Sequence, residues 1–183
     1  MAKILIATEK PFSKVAVDGI KKVADEAGME LDLLEKYTEK AQLLEAVADA
    51  DALIVRSDKV DAEVVEAAKN LKIVVRAGAG FDNLDLDACT KAGVVAMNTP
   101  GQNANAVAEL AIGMMIYASR NQFTPGTGCE LKGKMLGIQG FGNVGQLIAK
   151  KAVALGMDVV IYTDEVKEKH QRWKATFSLK HLY

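Results

Sequence analysis

The chain has 183 residues with a formal net charge of −1, half of them hydrophobic and 26% charged, a composition typical of a globular protein. This charge balance gives no overall field that favours nucleic acid or a membrane surface, and no apolar run approaches the ~18 residues needed to cross a bilayer. The two cysteines, Cys89 and Cys129, form no Cys-x-x-Cys pair and follow no leader segment, so we expect reduced thiols and a cytoplasmic location.

The first half of the sequence alternates short β-branched runs with helical patterns. Strands are predicted at residues 3–8, 29–34, 52–55, 72–75 and 94–97. Capping side chains place the starts of three intervening helices at Ser13, Thr38 and Asp61, and a short helix is expected at residues 85–92. The inward face of the first helix, residues 13–28, is expected to contain Val15, Ile20, Val23 and Ala27. Alternating strands and helices with short connections predict an α/β fold, with a parallel sheet covered on both faces.

The pattern breaks at residues 98–101, Asn-Thr-Pro-Gly, a turn signal that we interpret as a domain boundary. A long helix is expected at residues 103–120, with an inward stripe of Val107, Leu110, Ala111, Met114 and Ala118. Strands follow at residues 135–138 and 158–162. Residues 163–183 have no strand pattern, so the sequence predicts an incomplete version of a doubly wound domain, which needs about six strands.

The turn between those last two strands is rich in glycine and reads Gly140-Phe141-Gly142-Asn143-Val144-Gly145. In a strand–turn–helix context, this G-x-G-x-x-G spacing allows a tight turn, close approach of a pyrophosphate and close packing of the helix on the strand. The segment predicts dinucleotide binding, against the alternative of a purely structural glycine turn. Asp164, 24 residues after Gly140, is the candidate partner of the ribose hydroxyls, or else it begins a solvated tail.

Two arginines follow neighbouring predicted strands, where ligands bind in open α/β sheets. Arg56 is followed by Ser57, and Arg76 by Ala77 and then by Gly78, Ala79 and Gly80. Guanidinium groups bind carboxylate or phosphate as a fork, and a glycine-bracketed loop leaves backbone N–H groups available for an anion. We therefore predict a small anionic ligand. The alternative is that both arginines form surface ion pairs, for instance with Asp58 or Asp82.

No other part of the sequence has a catalytic or metal-binding pattern. Both histidines, His170 and His181, lie in the last segment, where solvated side chains are the ordinary case. The sequence therefore predicts no catalytic residue and no metal site.

Five segments, taken in order, carry a resemblance to a known family: residues 55–57, 75–85, 97–103, 108–110 and 140–145. They read Val-Arg-Ser, Val-Arg-Ala-Gly-Ala-Gly-Phe-Asp-Asn-Leu-Asp, Met-Asn-Thr-Pro-Gly-Gln-Asn, Ala-Glu-Leu and the glycine turn. Across residues 3–162 the chain resembles the NAD-dependent D-isomer-specific 2-hydroxyacid dehydrogenases, and within that family the enzymes that oxidise 3-phosphoglycerate in serine biosynthesis.

The resemblance implies a flavodoxin-like substrate domain over residues 1–97, the first part of a Rossmann NAD-binding domain over 98–162, and an atypical tail over 163–183. It implies that Arg56, Arg76 and the loop from Gly78 to Gly80 contact the substrate, and that Ala79 also approaches the nicotinamide. Residues 143 and 144 match positions that meet the pyrophosphate. The family also dimerises through its cofactor domain, so we expect a homo-oligomer or an association-prone chain, with no nucleic acid or membrane partner.

The sequence departs from the family in its last part. The family's catalytic arginine, glutamate and histidine have no matching motif here, and Tyr162 is followed by Thr163 where the family usually has its ribose-binding aspartate. We expect a truncated or frame-shifted product that is inactive alone. Two alternatives stay open: a non-catalytic anion-binding or interaction module, and a dehydrogenase of another D-2-hydroxy acid.

Overall fold

The computed structural model describes residues 1–163 and 174–176. The chain divides into two compact units, Met1–Pro100 and Gly101–Tyr183. The domain boundary predicted after residue 97 lies just before this division. None of the helices in the described ranges has both the length and the apolar character needed to cross a membrane.

The first unit is a five-stranded parallel sheet. Its strands are β1 (Lys3–Thr8), β2 (Glu30–Glu35), β3 (Ala52–Val55), β4 (Ile73–Arg76) and β5 (Val95–Met97). Their order in the sheet is β2-β1-β3-β4-β5, and every neighbouring pair is parallel. This is the flavodoxin-like order, so the α/β fold class expected for this part is confirmed.

Four helices connect these strands: α1 (Lys14–Glu26), α2 (Lys40–Val47), α3 (Ala62–Ala67) and α4 (Leu86–Ala92). Three of them begin after a side chain that accepts a hydrogen bond from the backbone N–H three residues on, namely Ser13, Asp61 and Asp85. The predicted cap at Thr38 is wrong. Here α2 begins after Glu39, and the Gln42 side chain accepts hydrogen bonds from the N–H groups of Thr38 (3.0 Å) and Glu39 (3.1 Å).

The core of the first unit lies around the middle strands, where Leu5, Leu53, Val55 and Val74 are fully buried. The face expected for α1 is largely wrong. Val15 and Val23 are 82% and 65% exposed, Ala27 is exposed and Ile20 is only partly buried, whereas Ala24 is buried. Apolar residues lie on both sides of this helix, so their spacing alone does not decide which side faces the sheet.

The second unit contains the helix α5 (Ala104–Ser119), a 3₁₀ turn at Asn121–Phe123, the strand β6 (Met135–Gln139), the helix α6 (Asn143–Ala154) and the strands β7 (Asp158–Tyr162) and β8 (Lys174–Thr176). The strands are parallel in the order β6-β7-β8, which is the beginning of a doubly wound sheet. The expectation that the last segment contains no strand is wrong, because β8 lies within it. A run of Lys-Ala-Thr has no apolar pattern that would predict a strand.

The core of the second unit lies between α6 and the strands β6 and β7, with Ile138, Ala149, Ala152 and Ile161 buried. The expected inward stripe of α5 is wrong in its main members. Ala104 and Ala108 are the buried residues, whereas Val107 is exposed and Leu110 and Met114 are 65% and 63% exposed. Because α5 is apolar on all sides, its periodicity does not select one face.

Candidate functional site

The two arginines lie at the carboxyl edge of the first sheet. Arg56 directly follows β3 and Arg76 is the last residue of β4, the neighbouring parallel strand. Val55 and Arg76 are register partners, so the two arginine backbones are one residue apart along this edge. Both residues are partly buried. The sheet therefore brings together the pair of cations that the sequence predicted at this edge.

The guanidinium of Arg56 is held by the loop after β1. Its Nη1 donates hydrogen bonds to the carbonyl oxygens of Lys10 (3.0 Å) and Pro11 (2.8 Å). Its central carbon lies 5.4 Å from the centroid of the Phe12 ring, within the range of a cation–π contact. The side chain is therefore fixed in direction by neutral groups and not by a carboxylate.

Arg76 is held by its own strand-end loop. Its Nε donates to the carbonyl oxygen of Arg56 (2.9 Å) and its Nη1 to that of Gly80 (3.2 Å). A Cβ added at Gly78 would overlap the Arg76 guanidinium. Glycine at position 78 is therefore what lets the guanidinium lie across the loop.

The alternative of surface ion pairs is not what the structure shows. Within the described ranges, no salt bridge joins Arg56 or Arg76 to a carboxylate. Asp58 is instead buried and accepts hydrogen bonds from the Glu9 N–H (2.7 Å), the Tyr37 hydroxyl (2.9 Å) and the Arg56 N–H (3.3 Å). Burial, and then the adjacent Asp58 carboxylate, raise the pKa of the Tyr37 phenol, so this hydroxyl remains a donor at neutral pH.

In the part of the chain that the structure describes, the loop after Arg76 has two backbone N–H groups with no acceptor. The N–H groups of Ala77 and Gly78 donate to backbone carbonyls, contrary to the expectation that the whole loop is available. Those of Ala79 and Gly80 have no acceptor among the described residues. Ser57, which directly follows Arg56, is exposed. Two N–H groups, one hydroxyl and two guanidinium groups thus come from adjoining strand ends.

Residues 98 and 99 fasten this loop from the opposite side. The Asn98 side chain donates from Nδ2 to the Ala79 carbonyl (2.8 Å), and the Thr99 N–H donates to the Gly78 carbonyl (2.9 Å). With both carbonyls bound from the strand β5 side, the peptide groups of the loop have a fixed orientation. The sequence predicted a turn at residues 98 and 99 but not these two bonds. Hydrogen bonds between distant segments leave no local pattern.

The glycine turn lies between β6 and α6, as predicted. Gly140 has a φ of +85°, a left-handed conformation that favours glycine. A Cβ added at Gly145 would overlap the Gly140 carbonyl oxygen, whereas one added at Gly140 or Gly142 would meet nothing within 4 Å. The third glycine is therefore required by packing, and the second faces open space of the kind a pyrophosphate needs.

The start of α6 offers N–H groups to such a ligand. Gly142 precedes the helix and no side chain caps it, so the first N–H groups have no helical partner and lie at the positive end of the helix dipole. Asn143 is exposed and Val144 partly buried. The Phe141 side chain is buried in the core of the second unit, and its carbonyl oxygen accepts a hydrogen bond from the Gln146 side chain (3.0 Å).

Asn143 also packs within its own unit. A Cβ added at Gly101, whose φ is +79°, would lie 2.7 Å from the Asn143 amide nitrogen. Asp164, the candidate partner of the ribose, lies outside the described residues, as do His170 and His181. Within residues 1–163 and 174–176, no group of histidine, cysteine or acidic side chains has a metal-binding arrangement.

Comparisons with known proteins show which family the sequence resembles. The sequence profile described as "D-isomer specific 2-hydroxyacid dehydrogenase, catalytic domain" matches residues 5–174. The chain is 42% identical over 147 residues to a hydroxypyruvate reductase of Thermotoga maritima, covering 73% of this chain and 48% of that protein. It is 39% identical over 176 residues to a D-3-phosphoglycerate dehydrogenase of Methanocaldococcus jannaschii, covering 88% and 32%.

Solved structures show the same similarity. NAD⁺-bound 3-phosphoglycerate dehydrogenase of Entamoeba histolytica has a TM-score of 0.89 and 46% identity, and the match covers 99% of this chain and 59% of that one. The apo D-lactate dehydrogenase of Escherichia coli, at 21% identity and a TM-score of 0.77, shares the fold. The chain thus spans about one third to one half of the length of these two curated relatives.

Proposed function

The chain belongs to the D-isomer specific 2-hydroxyacid dehydrogenase family, and we propose that it supplies the substrate-binding domain and the first part of the NAD-binding domain of a 3-phosphoglycerate dehydrogenase. In this proposal residues 1–97 bind the substrate, and residues 98–162 begin the cofactor domain. The observation that carries it is the arginine pair, Arg56 and Arg76, which has no carboxylate partner among the described residues and adjoins the unpaired N–H groups of Ala79 and Gly80.

The charge of this edge suits a substrate with two anionic ends. The substrate 3-phosphoglycerate carries a carboxylate and a phosphate, and each is a good partner for a guanidinium fork or for paired backbone N–H groups. In the proposed site Arg56, Arg76, Ser57 and the loop from Gly78 to Gly80 bind these groups. The 2-hydroxyl would then be left for oxidation, the reaction that serves serine biosynthesis in this branch of the family.

A second candidate substrate is an unphosphorylated D-2-hydroxy acid. It is favoured by one observation, the 42% identity to the protein named hydroxypyruvate reductase. The two candidates differ by the phosphate. A site built for 3-phosphoglycerate should lose much of its affinity when the ligand is glycerate, since a charge-assisted contact contributes roughly 1.5–3 kcal/mol.

The residues of the glycine turn fit NAD. Gly140 and Gly142 leave room for the pyrophosphate, the N–H groups at Asn143 and Val144 begin α6, and Gly145 keeps the helix close to the turn. We propose that Asp164 binds the adenosine ribose and that Ala79 borders the nicotinamide. When bound, NAD would accept the hydride that leaves the substrate. The residues of this chain would hold and orient both molecules.

We propose that the 183-residue chain has no dehydrogenase activity by itself, because no segment of its sequence matches the family's catalytic arginine, glutamate and histidine motifs. We also propose that it associates with itself through the exposed apolar face of α5, which includes Leu110 and Met114. A cytoplasmic location stays a prediction from composition.

The proposed substrate site is tested by titrating the ¹⁵N-labelled chain with 3-phosphoglycerate and with glycerate. We expect shifts at the N–H signals of Ala79 and Gly80, with tighter binding of the phosphorylated acid. The variants Arg56→Ala and Arg76→Ala should each weaken binding about tenfold or more. Arg120→Ala, which removes an exposed arginine in the second unit, is the matched control. Unchanged shifts in the first two variants would refute the proposed site.

A further inference from the structure

Among residues 1–163, Asp58 is the one charged side chain that is buried, with 5% of its surface exposed. Taking a carboxylate out of water is costly unless it is paired or receives hydrogen bonds. No lysine or arginine of the described residues pairs with it. Two backbone N–H groups and the Tyr37 hydroxyl compensate its charge instead. Such an arrangement calls for a reason other than stability alone, because an apolar residue would avoid the cost.

The three donors come from three neighbouring strand ends. Glu9 follows β1, Tyr37 lies just after β2, and Arg56 follows β3, and these strands are adjacent in the order β2-β1-β3. The Asp58 carbonyl also accepts a hydrogen bond from the Asn83 side chain (2.8 Å), which belongs to the loop after β4. Asp58 therefore connects the ends of β1, β2 and β3 with the loop after β4.

Two routes lead from Asp58 to the Arg56 guanidinium. On the first, Asp58 holds the Arg56 N–H, while the Arg56 carbonyl is held by Arg76 Nε (2.9 Å) and by Asn83 Nδ2 (3.4 Å). Both ends of the Arg56 backbone are thereby fixed. On the second, Asp58 holds the Glu9 N–H at 2.7 Å, directly before the two carbonyls at residues 10 and 11 that receive Nη1 of Arg56.

We propose that the buried Tyr37–Asp58 pair is a positioning element for Arg56, which sets the direction of the guanidinium and thereby the affinity of the site for its anion. This inference rests on the proposed function, because it concerns the same anion site. Neither residue contacts the ligand. Tyr37 keeps the Asp58 carboxylate in place, and the carboxylate holds the backbone of Arg56 and the loop that receives its side chain.

The pair should act before the ligand arrives. A flexible arginine loses side-chain freedom when it binds an anion, and this loss weakens binding. Carbonyl partners at 2.8 and 3.0 Å already restrict Arg56 without an anion. Removing the Tyr37 hydroxyl removes one of the three hydrogen bonds to the Asp58 carboxylate. Part of the ordering of the Arg56 side chain would then have to take place when the anion binds.

A double-mutant cycle tests the inference in the full 183-residue chain, with 3-phosphoglycerate as the probe and NMR shifts of Ala79 and Gly80 as the readout. The variants are Tyr37→Phe, Arg56→Lys and the double variant. Tyr37→Phe removes only the hydroxyl and keeps the ring, and Arg56→Lys keeps a cation, so that binding remains measurable. Tyr117→Phe, a change of the same chemistry in the second unit, is the control.

We expect Tyr37→Phe to weaken binding about three- to tenfold when Arg56 is present. In the Arg56→Lys background the same change should weaken binding less than about twofold, because the lysine side chain ends one atom short of the Nη1 position that the two carbonyls hold. Tyr117→Phe should leave the affinity unchanged. If the Tyr37–Asp58 hydrogen bond were purely structural, Tyr37→Phe would lower the free energy of unfolding. Its effect on the affinity would then not depend on the residue at position 56.

The inference is overturned by an unchanged affinity in Tyr37→Phe, or by an equal loss in both backgrounds. Should Tyr37→Phe fail to fold, Asp58→Asn replaces it in the cycle, since asparagine keeps one acceptor oxygen and the same shape; the same dependence on position 56 is then required. If the wild-type chain shows no binding, the proposed function fails and this inference with it. Wild-type binding that Arg56→Ala removes but Tyr37→Phe spares refutes the inference alone.

Discussion

Alanine substitutions at Gly142 and Gly145, made one at a time, separate the cofactor role of the glycine turn from its structural role. In the described structure a Cβ at position 142 meets nothing within 4 Å, whereas one at position 145 overlaps the carbonyl oxygen of Gly140. Gly142 also has a φ of −76°, which alanine adopts without strain. The two substitutions add the same methyl group and should have opposite consequences.

The magnitudes follow from those surroundings. In Gly145→Ala the backbone of the turn must move away from α6, and overpacking of this kind costs typically 1–3 kcal/mol. In Gly142→Ala the change of the residue before the helix should cost less than about 1 kcal/mol. Its methyl group, however, occupies the side on which the pyrophosphate would approach. Loss of one or two charge-assisted bonds, at roughly 1.5–3 kcal/mol each, weakens NAD binding about tenfold or more.

Two assays distinguish these effects. Amide hydrogen exchange in β6 and α6 reports the local unfolding free energy, and calorimetric titration with NAD reports the affinity. We expect normal protection with weak NAD binding for Gly142→Ala, and reduced protection for Gly145→Ala. Equal loss of protection in both variants would contradict the packing argument. NAD affinity unchanged by Gly142→Ala would mean that the cofactor does not approach this glycine.

Three further predictions concern activity, pH and association. The 183-residue chain mixed with 3-phosphoglycerate and NAD should form no NADH above background, and measurable turnover would refute the proposed inactivity. Hydrogen bonds from the Lys72 side chain, and then from the Lys3 N–H, lower the pKa of Asp51. The stabilisation from these bonds is present at neutral pH and is lost as the pH falls below about 4. In Asp51→Asn the urea-unfolding midpoint should therefore fall less steeply on the acid side of its pH profile. Leu110→Glu and Met114→Glu should reduce concentration-dependent association in sedimentation velocity, and unchanged association would show that α5 is not the contact surface.

Local features of the fold could be predicted from the sequence because their causes lie within a few residues. The caps at Ser13 and Asp61 depend on a side chain and an N–H three positions away, and the glycine turn lies where its spacing placed it. Orientation of the helices could not be predicted in the same way. Val15 and Ala24 of α1 are both apolar, and only the position of the sheet decides that the alanine is buried.

The sequence predicted the two charged side chains of the candidate site but not the hydrogen bonds that hold them. Arg56 and Arg76 were identified because each follows a strand that ends at the same edge. The role of Asp58 was missed, since the sequence indicates only a carboxylate two residues after an arginine, and an ion pair is the ordinary reading of that spacing. The hydrogen bond between Tyr37 and Asp58 joins residues 21 positions apart, so it depends on the completed sheet.

Both arginines of this edge are held by carbonyl oxygens and not by carboxylates. A carboxylate partner would neutralise each guanidinium, and an incoming ligand would have to displace it. Carbonyl oxygens, which hold Arg56 at 2.8 and 3.0 Å and Arg76 at 2.9 and 3.2 Å, fix the direction of the side chains and leave their net charge in place. The buried carboxylate of Asp58 is turned to backbone N–H groups and a phenol instead. Among the described residues, neutral carbonyl groups therefore orient both guanidinium groups of this edge, which is what the proposed anion site requires.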